Sequence, residues 1–202
     1  MTTQMIMRDV VLAMIPAALF GIYNNYSLFG MKYGIRSLLL ILVTVASCML
    51  SEWIFNRITK RENSLFDFSA VVTGMILALN LPCTLPYWKA ALGGFFAIII
   101  VKQLFGGLGQ NFMNPALGAR CFLALSFAAD MTAFFPKDVA EIDAVSSATP
   151  LTALKNAGDT TISITKLFLG NYAGTIGETS VLALLIGVLY YTKEPNPTPS
   201  LV

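Results

Sequence analysis

The chain has 202 residues, of which 56% are hydrophobic and 12% charged, and its net charge is +2. An ordinary soluble domain carries about twice that share of charge, and a soluble core of this size could not hide so much apolar surface. The small net charge gives no argument for a nucleic-acid or acidic partner, and the absence of histidine removes the commonest metal ligand and proton shuttle.

Six apolar segments follow in chain order. A helix needs about 20 residues to cross a bilayer core. The first segment runs from Val10 to Phe29. Arg8 and Asp9 precede it without a small-residue cleavage pattern, so it reads as a retained helix, not a removed signal. The second runs from Ser37 to Phe55, and the third, from Phe68, is short and stops at Pro82. The fourth spans Tyr87 to Phe105 and the fifth Pro115 to Phe135. The sixth, Val181 to Tyr191, is too short to cross alone. The expected fold is an all-α, polytopic transmembrane bundle of five to six spans. It divides into helices over 1–135, a polar loop over 136–179, and a last helix with a Pro-rich tail over 180–202.

Charge orients the spans. Arg57, Lys60 and Arg61 follow the second segment, and cytoplasmic loops collect Lys and Arg. Alternation then puts the N-terminus inside and residues 136–179 outside. Two stretches interrupt the helices: Asn80 to Pro86, and Gly106 to Asn111 followed by Asn114-Pro115. Non-helical backbone cannot face lipid. Either these stretches build a transporter-like site inside the protein, or they are interfacial turns. Glu52 and Arg120 lie near helix ends, where both are expected to snorkel to the interface. Asp67 precedes the third helix and complements its dipole. Cys48, Cys83 and Cys121 are far apart and form no Cys-x-x-Cys pair, so they read as packing residues.

The polar loop contains Asp143-Ala144-Val145-Ser146-Ser147-Ala148-Thr149-Pro150. Local physics makes Thr149 an N-cap and Pro150 the first residue of a helix. That leaves Asp143, Ser146, Ser147 and Ala148 without a use. The pattern Asp-x-x-Ser-Ser-Ala-Thr resembles the recognition motif of the flavin transferase that joins FMN to threonine through a phosphodiester. Three further stretches extend the resemblance: Lys102 to Asn111, Asn114-Pro115-Ala116, and Gly177-Glu178-Thr179-Ser180. From about Asp9 to Tyr191 the chain resembles the D subunit of the Rnf complex, and more distantly the B subunit of sodium-pumping NADH:quinone reductase.

The resemblance implies FMN esterified to Thr149, with Asp143, Ser146, Ser147 and Ala148 read by the transferase. It leaves room for a second, non-covalent flavin. It implies membership of a ferredoxin:NAD oxidoreductase with further Rnf subunits (A, B, C, E and G), coupled to Na⁺ or H⁺ translocation across the cell inner membrane. The nicotinamide and ferredoxin sites are expected on the other subunits, because no dinucleotide fingerprint or Cys cluster occurs here. A phosphate on Thr149 would face the free N–H groups of the helix expected from Pro150. Members of the family continue past this point with a second set of helices, related to the first as an inverted repeat. The chain therefore corresponds to one half of that fold, with the remainder truncated or supplied by a separate polypeptide. A channel or transporter half without a redox cofactor is the rival. It accounts for the interrupted helices but not for Asp143 to Thr149.

Overall fold

The computed structural model describes residues 3–60, 67–136, 168–170 and 172–193. Helices α1 (Thr3–Phe29) and α2 (Met31–Thr59) open the chain. At 1.5 Å per residue each is about 40 Å long or slightly more, enough to cross a bilayer core. A single residue joins them. Gly30 has φ 87° and ψ 177°, a backbone region open essentially to glycine alone. Both helices begin earlier than the apolar runs suggest. The polar start of α2 stays helical because Arg36 turns toward the backbone carbonyls of Thr84 and Leu85.

Helix α3 (Ser69–Leu79) stops where the sequence indicates. Pro82 has no N–H to continue the ladder, and the Asn80 amide donates to the Ile76 carbonyl at 2.8 Å. Helix α4 (Tyr87–Phe95) starts after Pro86 and runs directly into a π-helix, Phe96–Gln103. Helix α5 (Pro115–Ser126) is capped by Asn114, whose side chain accepts from the Ala116 and Leu117 N–H groups. Asn114 and Pro115 thus do what their types do at any helix start. The fifth segment, expected to reach Phe135, breaks at Phe127 and ends with the one-turn helix α6 (Ala128–Met131). Helix α7 (Val181–Lys193) closes the described residues.

Helix α2 is the centre of the bundle and packs on α1, α3, α4 and the π-helix, while α7 lies against α1. Leu40, Leu77, Leu81, Leu85, Leu123 and Ile176 are fully buried and form one core. Small residues set the closest crossings. A Cβ on Gly74 would sit 2.8 Å from Val45 Cα, and one on Gly187 would sit 2.2 Å from the Ala13 carbonyl oxygen. Such approaches are typical where helices meet without water.

The outer surface carries Leu19, Tyr23, Leu42, Leu50 and Leu125, each more than half exposed. Only 22% of the most apolar stretch of α1 and 33% of that of α2 are buried within the chain. The core helix of a soluble protein would be mostly buried, so this apolar surface is suited to lipid. Among the described residues there is no β-strand, only one isolated bridge between Pro82 and Thr175.

Candidate functional site

Two non-helical stretches far apart in sequence meet. The Ile176 N–H donates to the Leu81 carbonyl at 3.1 Å, and the Gly177 N–H to the Leu79 carbonyl at 2.8 Å. These bonds satisfy carbonyls that the end of α3 would otherwise leave without partners. Leu81, Pro82, Cys83 and Leu85 are all fully buried. The non-helical backbone is therefore inside protein, as lipid requires. Residues 172–180 are held from a third side by Asn24 of α1, whose amide donates to the Tyr172 carbonyl at 2.9 Å. Thr175 is buried there, and its hydroxyl has no hydrogen-bond partner among the described residues. Burial, and then the charge of Glu178, raises the Tyr172 phenol above its ordinary pKa.

Two arginines tie the α3–α4 break to other helices. Arg120 of α5 donates to the Asn80 side-chain oxygen at 2.8 Å. Snorkelling is the expectation for Arg120; a partly buried contact with the break is what the fold provides. Arg36 of α2 donates from Nη2 to the carbonyls of Thr84 (2.9 Å) and Leu85 (3.3 Å), and its guanidinium lies 5.4 Å from the Tyr87 ring centre. Its Nε is buried and has no hydrogen-bond partner among the described residues.

Arg36 also lines a cavity of about 270 Å³ with Tyr33, Thr84, Asp130, Phe135 and Pro136. The Thr84 hydroxyl donates to the Ala133 carbonyl, and Asp130 pairs with Lys89. Lys89 lies 4.6 Å from the Phe127 ring centre.

A second polar cluster lies where α2, α3 and the π-helix meet. Lys102 Nζ is 2.7 Å from Glu52 Oε1 and 2.7 Å from Ser69 Oγ. The Gln103 amide donates to the same Glu52 oxygen at 3.0 Å. The Lys102 and Glu52 side chains are 2% and 0% exposed. This corrects the expectation that Glu52 snorkels: a lysine fifty residues further along meets it in the interior. The π-helix supplies two of the cluster's four side chains, and π-turns recur at functional sites. Asn111 closes its end: with its amide turned to the orientation that satisfies hydrogen bonding, the nitrogen donates to the Lys102 and Gly107 carbonyls at 3.1 and 3.0 Å. Gly106, Gly107 and Gly109 all have positive φ in that turn. The Lys102–Asn111 stretch thus builds a structured helix end.

Asp143, Ser146, Ser147, Ala148 and Thr149 lie outside the described residues. No motif singles out Arg36, Thr175, or the pairing of Glu52 with Lys102. The signal available for Lys102 is a charged residue inside an apolar segment, which ordinarily marks a paired group. Among the described residues no three Cys, Asp or Glu side chains gather to hold a metal.

Two long apolar helices, shorter helices after them, and interrupted segments folded into a shared polar interior define an all-α membrane helical protein. The chain belongs to the NQR2, RnfD, RnfE family, whose model matches residues 1–194. It is 44% identical over 195 residues to the D subunit of the Na⁺-translocating ferredoxin:NAD⁺ oxidoreductase complex of Acetobacterium woodii, covering 94% of this chain and 57% of that relative. It is 36% identical over 202 residues to the D subunit of the proton-translocating ferredoxin:NAD⁺ oxidoreductase complex of Clostridium ljungdahlii, covering 95% and 59%. The B subunit of the Na⁺-translocating NADH-quinone reductase of Klebsiella pneumoniae is 42% identical over 125 residues, covering 57% of this chain and 30% of that relative. The chain thus spans about three fifths of the length of the two ferredoxin:NAD⁺ oxidoreductase relatives.

Proposed function

We propose that this chain carries FMN, joined through its phosphate to Thr149, as an electron-transfer subunit of an ion-translocating ferredoxin:NAD⁺ oxidoreductase. The observation that carries the reading is the Asp143-x-x-Ser146-Ser147-Ala148-Thr149 pattern in a chain of this family. Thr149 would supply the ester oxygen, and Asp143, Ser146, Ser147 and Ala148 would be the residues a flavin transferase reads. A bound flavin supplies a carrier that accepts and passes on electrons singly or in pairs. The orphaned Nε–H of Arg36 suits an anionic group such as its phosphate.

In this reading ferredoxin and NAD⁺ are handled by partner subunits of the Rnf type (A, B, C, E and G), with Na⁺ or H⁺ as the coupling ion. The chain spans the cell membrane several times. The Arg57, Lys60, Arg61 cluster puts the turn after α2 and the N-terminus in the cytoplasm, and residues 136–179 outside.

Flavin fluorescence on a denaturing gel tests the reading, with the complex expressed alongside the transferase. Thr149→Val keeps the side-chain shape and removes the oxygen, so all covalent fluorescence is expected to disappear while the chain still inserts. Ser147→Ala is expected to remain fluorescent. Undiminished fluorescence of Thr149→Val overturns the assignment to Thr149.

A second reading is a transporter or channel half without a redox cofactor, and the joined breaks at 79–82 and 175–177 favour it. It predicts no covalent fluorescence from any variant, the unaltered chain included.

A further inference from the structure

We propose that the last two turns of α2 bind the headgroup of an anionic phospholipid, whose phosphate Arg57 and Lys60 hold beside Trp53. This site stands apart from Thr149 and from the cavity beside Arg36.

Helix length puts these residues at headgroup level. α2 has 29 residues, and at 1.5 Å per residue it is about 43 Å long. A hydrocarbon core is about 30 Å thick, and a bilayer with its headgroups about 40–45 Å. From Ser37 to Ser51 the helix carries no charged residue. With that stretch in the hydrocarbon, the turns after it reach the headgroups.

Trp53, Arg57 and Lys60 recur at intervals of four and three, so they form one stripe along the helix. All three are exposed, and the Arg57 guanidinium lies 5.8 Å from the Trp53 ring centre. Lys60 ends the helix in the left-handed conformation and donates its N–H to the Asn56 carbonyl.

Charge on these turns is one-sided. Glu52 is the one acidic residue between Met49 and Lys60, and its side chain is committed to Lys102 in the interior. The outer face is left with two positive charges. Ile54 and Ile58 flank the stripe and are 44% and 76% exposed. A free phosphate or an acidic peptide would match the charges but leave these apolar side chains in water. A lipid meets both needs. Its phosphate faces the cations, its upper acyl chain covers the isoleucines, and the amphipathic indole sits between them, as tryptophan does at membrane interfaces. Basic residues at the membrane end of a helix attract anionic lipid in the same way. The same turns carry Glu52 and Asn56 into the interior. A headgroup held outside therefore fixes the depth of the Glu52–Lys102 pair.

The test uses the full chain, which has two tryptophans, Trp53 and Trp88. Trp88→Phe leaves Trp53 as the reporter. The protein is reconstituted in phosphatidylcholine vesicles containing brominated phosphatidylglycerol. Quenching is compared with that from the same fraction of brominated phosphatidylcholine, which gives the preference for the anionic lipid at Trp53. The expected preference is roughly fivefold for each basic residue. Arg57→Gln is expected to lower it about fivefold, and Arg57→Gln with Lys60→Gln to abolish it. In a Trp53→Phe background, where Trp88 reports, the same substitutions are expected to change nothing. Equal quenching by the two lipids in Trp88→Phe overturns the proposal, and so does an undiminished preference in the double variant. Should the glutamine variants fail to fold, Trp88→Phe alone decides. Its preference is expected to collapse in about 1 M salt, which screens charges within about 3 Å; a preference that survives the salt overturns the proposal.

Discussion

Lys102 brings a charge into a segment that otherwise reads Phe-Ala-Ile-Ile-Ile-Val. Its ammonium, together with Glu52, Ser69 and Gln103, makes a cluster shielded from both water and lipid. Burying two charges is expensive, so the pair itself adds little net stability, while removing one partner strands the other. Lys102→Met is expected to destabilise the chain by about 3–5 kcal/mol. Combining it with Glu52→Gln is expected to restore most of the loss, because no buried charge then remains. Thermal unfolding of the single and double variants in one detergent checks this. Equal destabilisation in the double variant would show that Lys102 matters by packing instead. The partner of Lys102 is not legible from sequence, because Glu52 lies fifty residues away and sits next to the end of an apolar run. Proximity to a helix end suggests snorkelling; only tertiary packing decides between an interface and an interior.

Helix limits follow from Pro82, Pro86, Asn114 and Pro115, whose effects are local and hence readable. The apolar run of the second segment starts only at Ser37, because Lys32 and Arg36 interrupt the pattern before it, yet the helix starts at Met31. The distant carbonyls that engage Arg36 carry no sequence signal. Nor does the docking of residues 172–180 on the end of α3, which rests on backbone bonds that any residue type could make. Glycine is the one clue. A Cβ at Gly21 would stand 1.8 Å from the Ile176 carbonyl oxygen, and one at Gly177 would stand 2.5 Å from Leu79 Cβ. Gly21→Val is therefore expected to lift residues 172–180 from α1, at a cost of about 1–3 kcal/mol. Hydrogen exchange at the Ile176 and Gly177 amides reads this directly. Protection equal to that of the unaltered chain would contradict the packing described.

At the scale of the molecule, the all-α membrane class is legible in composition and in the six apolar segments. The exposed apolar faces of α1 and α2 agree with it. The proposed orientation makes a separate prediction. Cys48 and Cys83 are buried and Cys121 is exposed, so Cys121→Ser gives a quiet background for labelling. On that background Asp159→Cys is expected to react with an impermeant thiol reagent in intact cells. Reaction only after lysis would reverse the topology and move the flavin to the cytoplasmic side. The motif of greatest chemical content lies outside the described residues, so its role rests on its pattern and on the family. The mass of the peptide from Asp143 to Lys155, taken from the complex matured with transferase, tests that role most directly. The expected result is the peptide mass increased by one FMN ester, with fragment ions that place it on Thr149. An unmodified peptide would contradict the account, and an ester on Ser146 or Ser147 would contradict the assignment to Thr149.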